Sequence, residues 1–209
     1  MDMTDDALRE VFLKSEDKFH GVIINVEHWQ VSLPNGKTAL REVVRHNGAA
    51  AIVPVDDEGY VTLVRQHRVV AGRFTWEIPA GKLDSPDEDP FACARRELEE
   101  ETGLNAENWR LLSRIDTTPG FCTEKIALYL ATGLSQHATH PDEDEFLHIT
   151  RIPLAEAVAL CLKGELRDSK TVIGILMAGQ ILGVNAAPYL TDGTTIQRMP
   201  AASLSHPAE

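Results

Sequence analysis

Apolar and polar positions along the chain follow two rhythms. From 21 to 31 and again over Thr38–Arg45 they alternate loosely, and the Leu33-Pro34-Asn35-Gly36-Lys37 stretch between carries a tight-turn signal, which predicts a β-hairpin. Residues 49–55 and 60–67 are nearly unbroken apolar runs on either side of Asp56-Asp57-Glu58-Gly59, the pattern of buried strands joined by a turn. Phe74 to Pro79 leads into a loop. Strands are expected at about 109–117 and 125–132, around a connection holding Pro119-Gly120, and a short one at 146–152 after a polar, acidic loop at 137–145. Helical periodicity marks 153–162 and 169–182, with Gly164 between them. Residues 1 to about 18 read as a polar, helical lead-in, and from about Val184 onward periodicity is lost, as in a loose tail. This order of elements predicts an α+β fold in which helices cover a mixed sheet.

One further helix has marked ends. Asp89 suits the cap, Pro90 the first helical position, and Gly103 the left-handed residue that stops a helix, so Pro90–Thr102 is predicted helical. At 100° per residue Phe91, Ala94 and Leu98 form an apolar stripe for a core, Glu97, Glu100 and Glu101 a second face, and Ala92, Arg95 and Glu99 a solvated third. The acidic face sits at the helix C-terminus, where the macrodipole is already negative and each carboxylate costs roughly 0.3–1 kcal/mol. Arg95 and Arg96 precede Glu99 and Glu100 by four residues, the weaker orientation for such pairs, and Glu97 and Glu101 have no basic residue at that spacing. A solvated acidic helix end is the ordinary reading of such a run. A hard divalent cation, which takes oxygen ligands and bridges carboxylates to phosphates, resolves the conflict differently.

Composition narrows the classes. The 209 residues carry a net charge of −12, which argues against non-specific binding to nucleic acid or anionic membranes and means that a phosphate substrate must be received by a metal or by local arginines. The acidic start lacks the basic-then-apolar order of a signal peptide and no apolar run approaches a membrane span, so a cytoplasmic location is expected. Cys93, Cys122 and Cys161 lack Cys-x-x-Cys spacing and read as reduced thiols. His46, His67 and the other histidines have no ligand spacing and receive no chemistry.

From Gly81 to Leu104 the chain resembles the signature of the Nudix hydrolases: Glu88, Arg96, Glu97, Leu98, Glu100, Glu101, Gly103 and Leu104 match in type and spacing. Gly81 lies seven residues before Glu88 where the signature has six, so the loop carries one extra residue, most simply within Ser85-Pro86-Asp87. The resemblance implies a Nudix α/β/α sandwich with a mixed sheet over about 49–183, preceded by an N-terminal β-hairpin in 1–48 that serves dimerisation and followed by a tail at 184–209. Three features are similar to the ADP-ribose pyrophosphatase (ADP-sugar diphosphatase) branch: Trp76-Glu77-Ile78-Pro79-Ala80-Gly81, the leading strands with Arg41-Glu42, and Pro119 placed 16 residues after Gly103.

That branch implies hydrolysis of ADP-ribose to AMP and ribose 5-phosphate with Mg²⁺, or Mn²⁺ in its place. By resemblance the metal ligands are Glu97, Glu101 and the carbonyl of Ala80, with Glu100 acting directly or through water. Arg96 orients Glu100, Gly81 and Gly103 are structural, and Glu88 either positions the loop or acts directly. The general base is an acid of the 137–145 loop, Glu145 before Glu143. Arg41, Arg68 and Glu77 are expected to bind substrate, with Phe19 or Trp29 stacking on adenine, and a homodimer exchanging its leading strands would carry Arg41 into the partner's site. Other readings are a hydrolase of ADP-glucose, GDP-mannose or a dinucleoside polyphosphate, or a catalytically silent nucleotide sensor.

Overall fold

The computed structural model describes residues 5–136 and 146–190. Its centre is β4 (Ala49–Pro54), which pairs antiparallel with β7 (Ala80–Lys82) and parallel with β9 (Lys125–Gln136); β8 (Leu104–Asp116) closes the other edge, giving a mixed four-stranded sheet. A second sheet has the order β10 (His148–Pro153), β5 (Tyr60–Arg68), β6 (Arg73–Glu77). The apolar run of β4 follows from its position, because both of its faces are covered. Ala51 and Val53 join Leu63, Ile78, Leu154 of α2 (Leu154–Leu162) and Ile175 of α3 (Ser169–Ile181) in one core. Ala50 and Ile52 join Cys93, Ala94 and Leu98 of α1 (Pro90–Thr102) in the other. This is the predicted sandwich of helices on both faces of a mixed sheet. The α3 layer lies close: a Cβ on Gly174 would come within 2.9 Å of Val53 Cγ2.

The helix α1 has the ends read from its sequence. Asp89 Oδ1 accepts the Phe91 N–H at 3.1 Å, Pro90 takes the first position, and Gly103 adopts φ 68° with its N–H donating to the Glu99 carbonyl. Leu98 and Ala94 are fully buried, and truncating Leu98 to alanine would cost about 2–5 kcal/mol.

Two expectations need correction. The predicted hairpin, β2 (Asn25–Ser32) with β3 (Thr38–Arg45), is present, but the lead-in is not helical: Val11–His20 forms β1, which pairs antiparallel along β2 to complete a three-stranded sheet. An isolated helix of ten residues is marginal in water, whereas Val11, Phe12, Leu13 and Phe19 suit a strand and the ladder to β2 satisfies the backbone. Likewise the stretch after Pro79 is not loop from its start. Ala80–Lys82 is a strand because β4 lies beside it, a partner 31 positions away that local pattern does not reveal. The proposed tail is described only to residue 190, where Ala187–Tyr189 makes a short 3₁₀ turn; 191–209 lie outside the described residues.

The N-terminal sheet is fastened to the rest at the end of β3. Val44 donates to the Phe121 carbonyl at 2.7 Å and Thr123 to the Val44 carbonyl at 2.9 Å. Every residue of β1 is exposed, and so are the large apolar side chains Val11, Phe12, Leu13, Phe19 and Leu40.

Candidate active site

The acidic face of α1 does not point into bulk water. Glu97 and Glu101 are 7% and 4% exposed, held against β7 on the helix side that abuts the sheet. Glu101 accepts the Ala80 N–H at 3.0 Å. Glu97 packs over Gly81 so closely that a Cβ there would lie 1.9 Å from the Glu97 carboxyl carbon, which is why glycine stands at that position. Here the glycine supplies room for a carboxylate and not an unusual φ.

Arg96 gathers the carboxylates of this corner. Its guanidinium donates to Glu97 at 2.7 Å and Glu100 at 3.0 Å, and lies 3.5 Å from Glu88 and 3.9 Å from Asp84. Burial opposes its charge, but Glu97 and the other carboxylates hold its pKa above the ordinary arginine range. Glu88 also accepts the Asp84 N–H at 2.6 Å, so it ties the loop to Arg96, and the Glu88 N–H closes a turn on the Ser85 carbonyl. Burial and the adjacent Glu97 push the Cys93 thiol up to about 12, leaving it an inert packing side chain.

A second cluster assembles where β5, β6 and α3 meet. Arg68 grips Glu77 with two bonds of 2.8 Å, Nε to Oε1 and Nη2 to Oε2. Thr75 Oγ1 donates to the same carboxylate at 2.6 Å, and Lys170 Nζ pairs with it from α3. Lys170 also reaches Asp168 at 3.0 Å, and Asp168 caps α3 by accepting from the Thr171 N–H and hydroxyl. Glu77 is only 2% exposed. Burial would raise its pKa, but the bonds from Arg68, then Lys170 and Thr75, draw it from 4.5 down to about 2. Arg68 is in turn held above its usual range by Glu77.

The two clusters face one cleft of about 650 Å³, whose walls include Arg68, Ala80, Gly81, Glu101, Asp168 and Lys170. The cleft therefore brings together Glu101, Ala80, Gly81 and Arg68, with Glu97 packed over Gly81 and Glu77 bound to Arg68. Arg41 and Phe19 are not on this cleft within one chain: Arg41 pairs with Glu10 beside Phe12 and Trp29, and Phe19 is exposed on β1. Glu143 and Glu145 lie outside the described residues. Lys170 escaped the sequence reading. Its one signal is a lysine in the first turn of a helix, where the macrodipole disfavours a cation, so a buried acid had to be near.

The donor set suits a hard cation. Glu97 and Glu101 with the Ala80 main chain offer oxygen only, and Glu100, half-buried, adds another. Among the described residues no three acidic, histidine or cysteine side chains are grouped so as to hold a metal ion by themselves. A cation held at this corner would need further oxygen ligands, which water and a phosphate commonly supply to Mg²⁺.

Comparison with known proteins agrees. Residues 45–173 match the NUDIX domain. The chain is 40% identical over 201 residues to the ADP-ribose pyrophosphatase of Mycobacterium tuberculosis, covering 94% of this chain and 96% of that one. It is 42% identical over 168 residues to the methanol dehydrogenase activator of Bacillus methanolicus, covering 79% and 90%. The crystal structure of an ADP compounds hydrolase superposes with a TM-score of 0.74 at 25% identity, over 84% of this chain and 96% of that one.

Proposed function

This chain belongs to the Nudix hydrolases, and from that premise we propose that it hydrolyses the diphosphate bond of ADP-ribose, adding water to release AMP and ribose 5-phosphate, with Mg²⁺ as the divalent ion that the family requires. The observation that carries this reading is the pair of buried carboxylates at a helix C-terminus, Glu101 on a cleft shared with Arg68 and Lys170 and Glu97 packed over Gly81 of the same wall. Acid on one wall and base on the other suit a diphosphate carried with a cation.

Glu97, Glu101 and the Ala80 carbonyl would hold the ion, with Glu100 beside them. Once bound, a divalent ion polarises a phosphoryl oxygen and lowers the pKa of a water. Arg96 holds Glu97 and Glu100 in place. Arg68 spends Nε and Nη2 on Glu77, which fixes the guanidinium plane and leaves Nη1 for a phosphoryl oxygen. Glu145, with Glu143 second, takes the proton of the attacking water. Residues 1–48 form the dimerisation region of a homodimer: the exposed apolar side chains of β1 and the neighbouring Leu40 suit a partner's surface, and that pairing would deliver Arg41, and Phe19 as an adenine stack, to the partner's cleft.

A substrate panel in Mg²⁺ tests the reading. ADP-ribose should show the highest kcat/KM among ADP-ribose, ADP-glucose, GDP-mannose and diadenosine polyphosphates, with AMP and ribose 5-phosphate as products. Hydrolysis of none of them by folded protein refutes it, and a higher kcat/KM for GDP-mannose reassigns the substrate.

A further inference from the structure

Lys170 lines the cleft beside Arg68 but spends its charge on protein groups: its Nζ pairs with Glu77 and, at 3.0 Å, with Asp168. It enters from the first turn of α3 and is only 8% exposed. Taking an ammonium out of water is costly, and stability alone is a weak reason to do so, because buried ion clusters can often be replaced whole by apolar groups without loss.

The geometry supplies a better reason. The Glu77 carboxylate accepts four hydrogen bonds: Oε1 takes Arg68 Nε at 2.8 Å and Thr75 Oγ1 at 2.6 Å, and Oε2 takes Arg68 Nη2 at 2.8 Å and Lys170 Nζ. A carboxylate has about four lone-pair sites, so this one is saturated and has no second orientation to turn to. Three of those donor atoms sit on the β5–β6 pair that also carries Glu77; Lys170 alone reaches it from another layer. Arg68 is the last residue of β5, before the turn at Val69–Ala71, and its side chain is half exposed, so Glu77 is what holds the guanidinium still. Charge points the same way. Asp168 is satisfied at the N-terminus of α3 by the Thr171 N–H at 3.0 Å and hydroxyl at 2.6 Å, where the helix favours an acid. Lys170 is thus set against Glu77, and the Arg68 charge is left to face the cleft. An Arg68–Glu77 pair without it would be neutral and would attract an anion weakly.

Building on the hydrolase reading, we infer that Lys170 is a positioning residue for substrate binding: by holding Glu77 from α3 it aims the Arg68 guanidinium, whose Nη1 has no partner among the described residues, at the diphosphate. Lys170 itself does not touch the substrate. Its effect therefore falls on affinity and not on the chemical step, and it exists only while Arg68 is present.

The test is a double-mutant cycle read by calorimetric titration in Mg²⁺ with the non-hydrolysable α,β-methylene ADP-ribose. Lys170→Met and Arg68→Met should each weaken the probe about tenfold, and the double variant should bind within about twofold of Arg68→Met alone. With ADP-ribose as substrate, Lys170→Met should raise KM about tenfold and leave kcat within about twofold. Lys170→Arg, which keeps the charge, should restore most of the affinity. Leu154→Ala, buried in the α2 layer away from the cleft, should lower Tm without weakening the probe, which separates positioning from stability. If Lys170→Met does not fold, Thr75→Val removes a neutral donor from the same carboxylate and should weaken the probe about threefold, an effect that vanishes in the Arg68→Met background. Additive losses in the cycle, unchanged affinity in Lys170→Met, a fall in kcat at constant KM, or equal weakening by Leu154→Ala overturns the inference. The two readings fail separately. Wild type that binds the probe and shows the non-additive cycle yet leaves ADP-ribose intact refutes the hydrolase alone, and wild type that hydrolyses ADP-ribose while the losses add refutes the positioning alone.

Discussion

The two charged clusters on the cleft are built from the same kinds of side chain and do opposite work. Around Arg96 one guanidinium is set against Asp84, Glu88, Glu97 and Glu100, with Glu101 alongside on the Ala80 amide. Around Glu77 two cations, Arg68 and Lys170, meet two carboxylates, Glu77 and Asp168. The balanced cluster is a finished structure: its charges neutralise each other in a buried place, and it fixes the direction of Arg68. Among the described residues the ridge sets more carboxylates than cations at a helix end that is already negative, the setting in which we propose a cation from outside. Surplus charge marks where a ligand goes, and balanced charge marks what holds the site still.

Four experiments would break or sharpen this contrast. The largest effect is expected at Glu101→Gln, which keeps an acceptor for the Ala80 amide but removes a charge from the ridge. The kcat should fall on the order of a thousandfold and the Mg²⁺ concentration for half-maximal rate should rise, with circular dichroism unchanged. A loss of fold instead of a loss of metal response would show that the ridge, too, is scaffolding.

Next, Lys170→Met unbalances the other cluster and should cost about 3 kcal/mol, roughly 6–12 °C in Tm by calorimetry for a chain of this size. The same cluster sets an acid limit. Because the folded pKa of Glu77 is depressed, to about 2 from 4.5, its ionised form stabilises the fold above pH 4.5, and that contribution is lost as pH falls towards 2. Glu77→Gln should lose it already at neutral pH and show a shallower decline of stability across that window. An unchanged slope would mean that Arg68 and Lys170 do not bind the ionised carboxylate.

The smallest effect is expected at Gly81→Ala. The new Cβ would meet the buried Glu97 carboxyl, held by Arg96, so unfolding free energy should fall by about 1–3 kcal/mol, while the displaced carboxylate lowers kcat about tenfold. Wild-type kinetics would remove Glu97 from the metal site.

These residues differ in how legible they were. The bounds of α1, its Leu98 face and its acidic ridge follow from interactions within four positions along one helix, with Asp89 and Gly103 as local end signals. Two segments that depend on a partner beyond that range were misread. Val11–His20 became a strand because β2 was there to pair with, and Ala80–Lys82 because β4 was.

By itself, then, the amino-acid sequence determined a capped helix with more acid than its own turns can neutralise, a β-rich chain around it, and the type of cation that such oxygen donors accept. Only the tertiary structure decided that Lys170 reaches Glu77 from 93 positions away, that Thr123 ties the 117–124 connection to the His46 backbone, and that Lys170 and His46 line one cleft. The physical reason is reach. Helix periodicity and capping couple residues a turn apart, whereas a buried ion pair between distant segments exists only once the layers have packed and excluded the water that would otherwise solvate each charge.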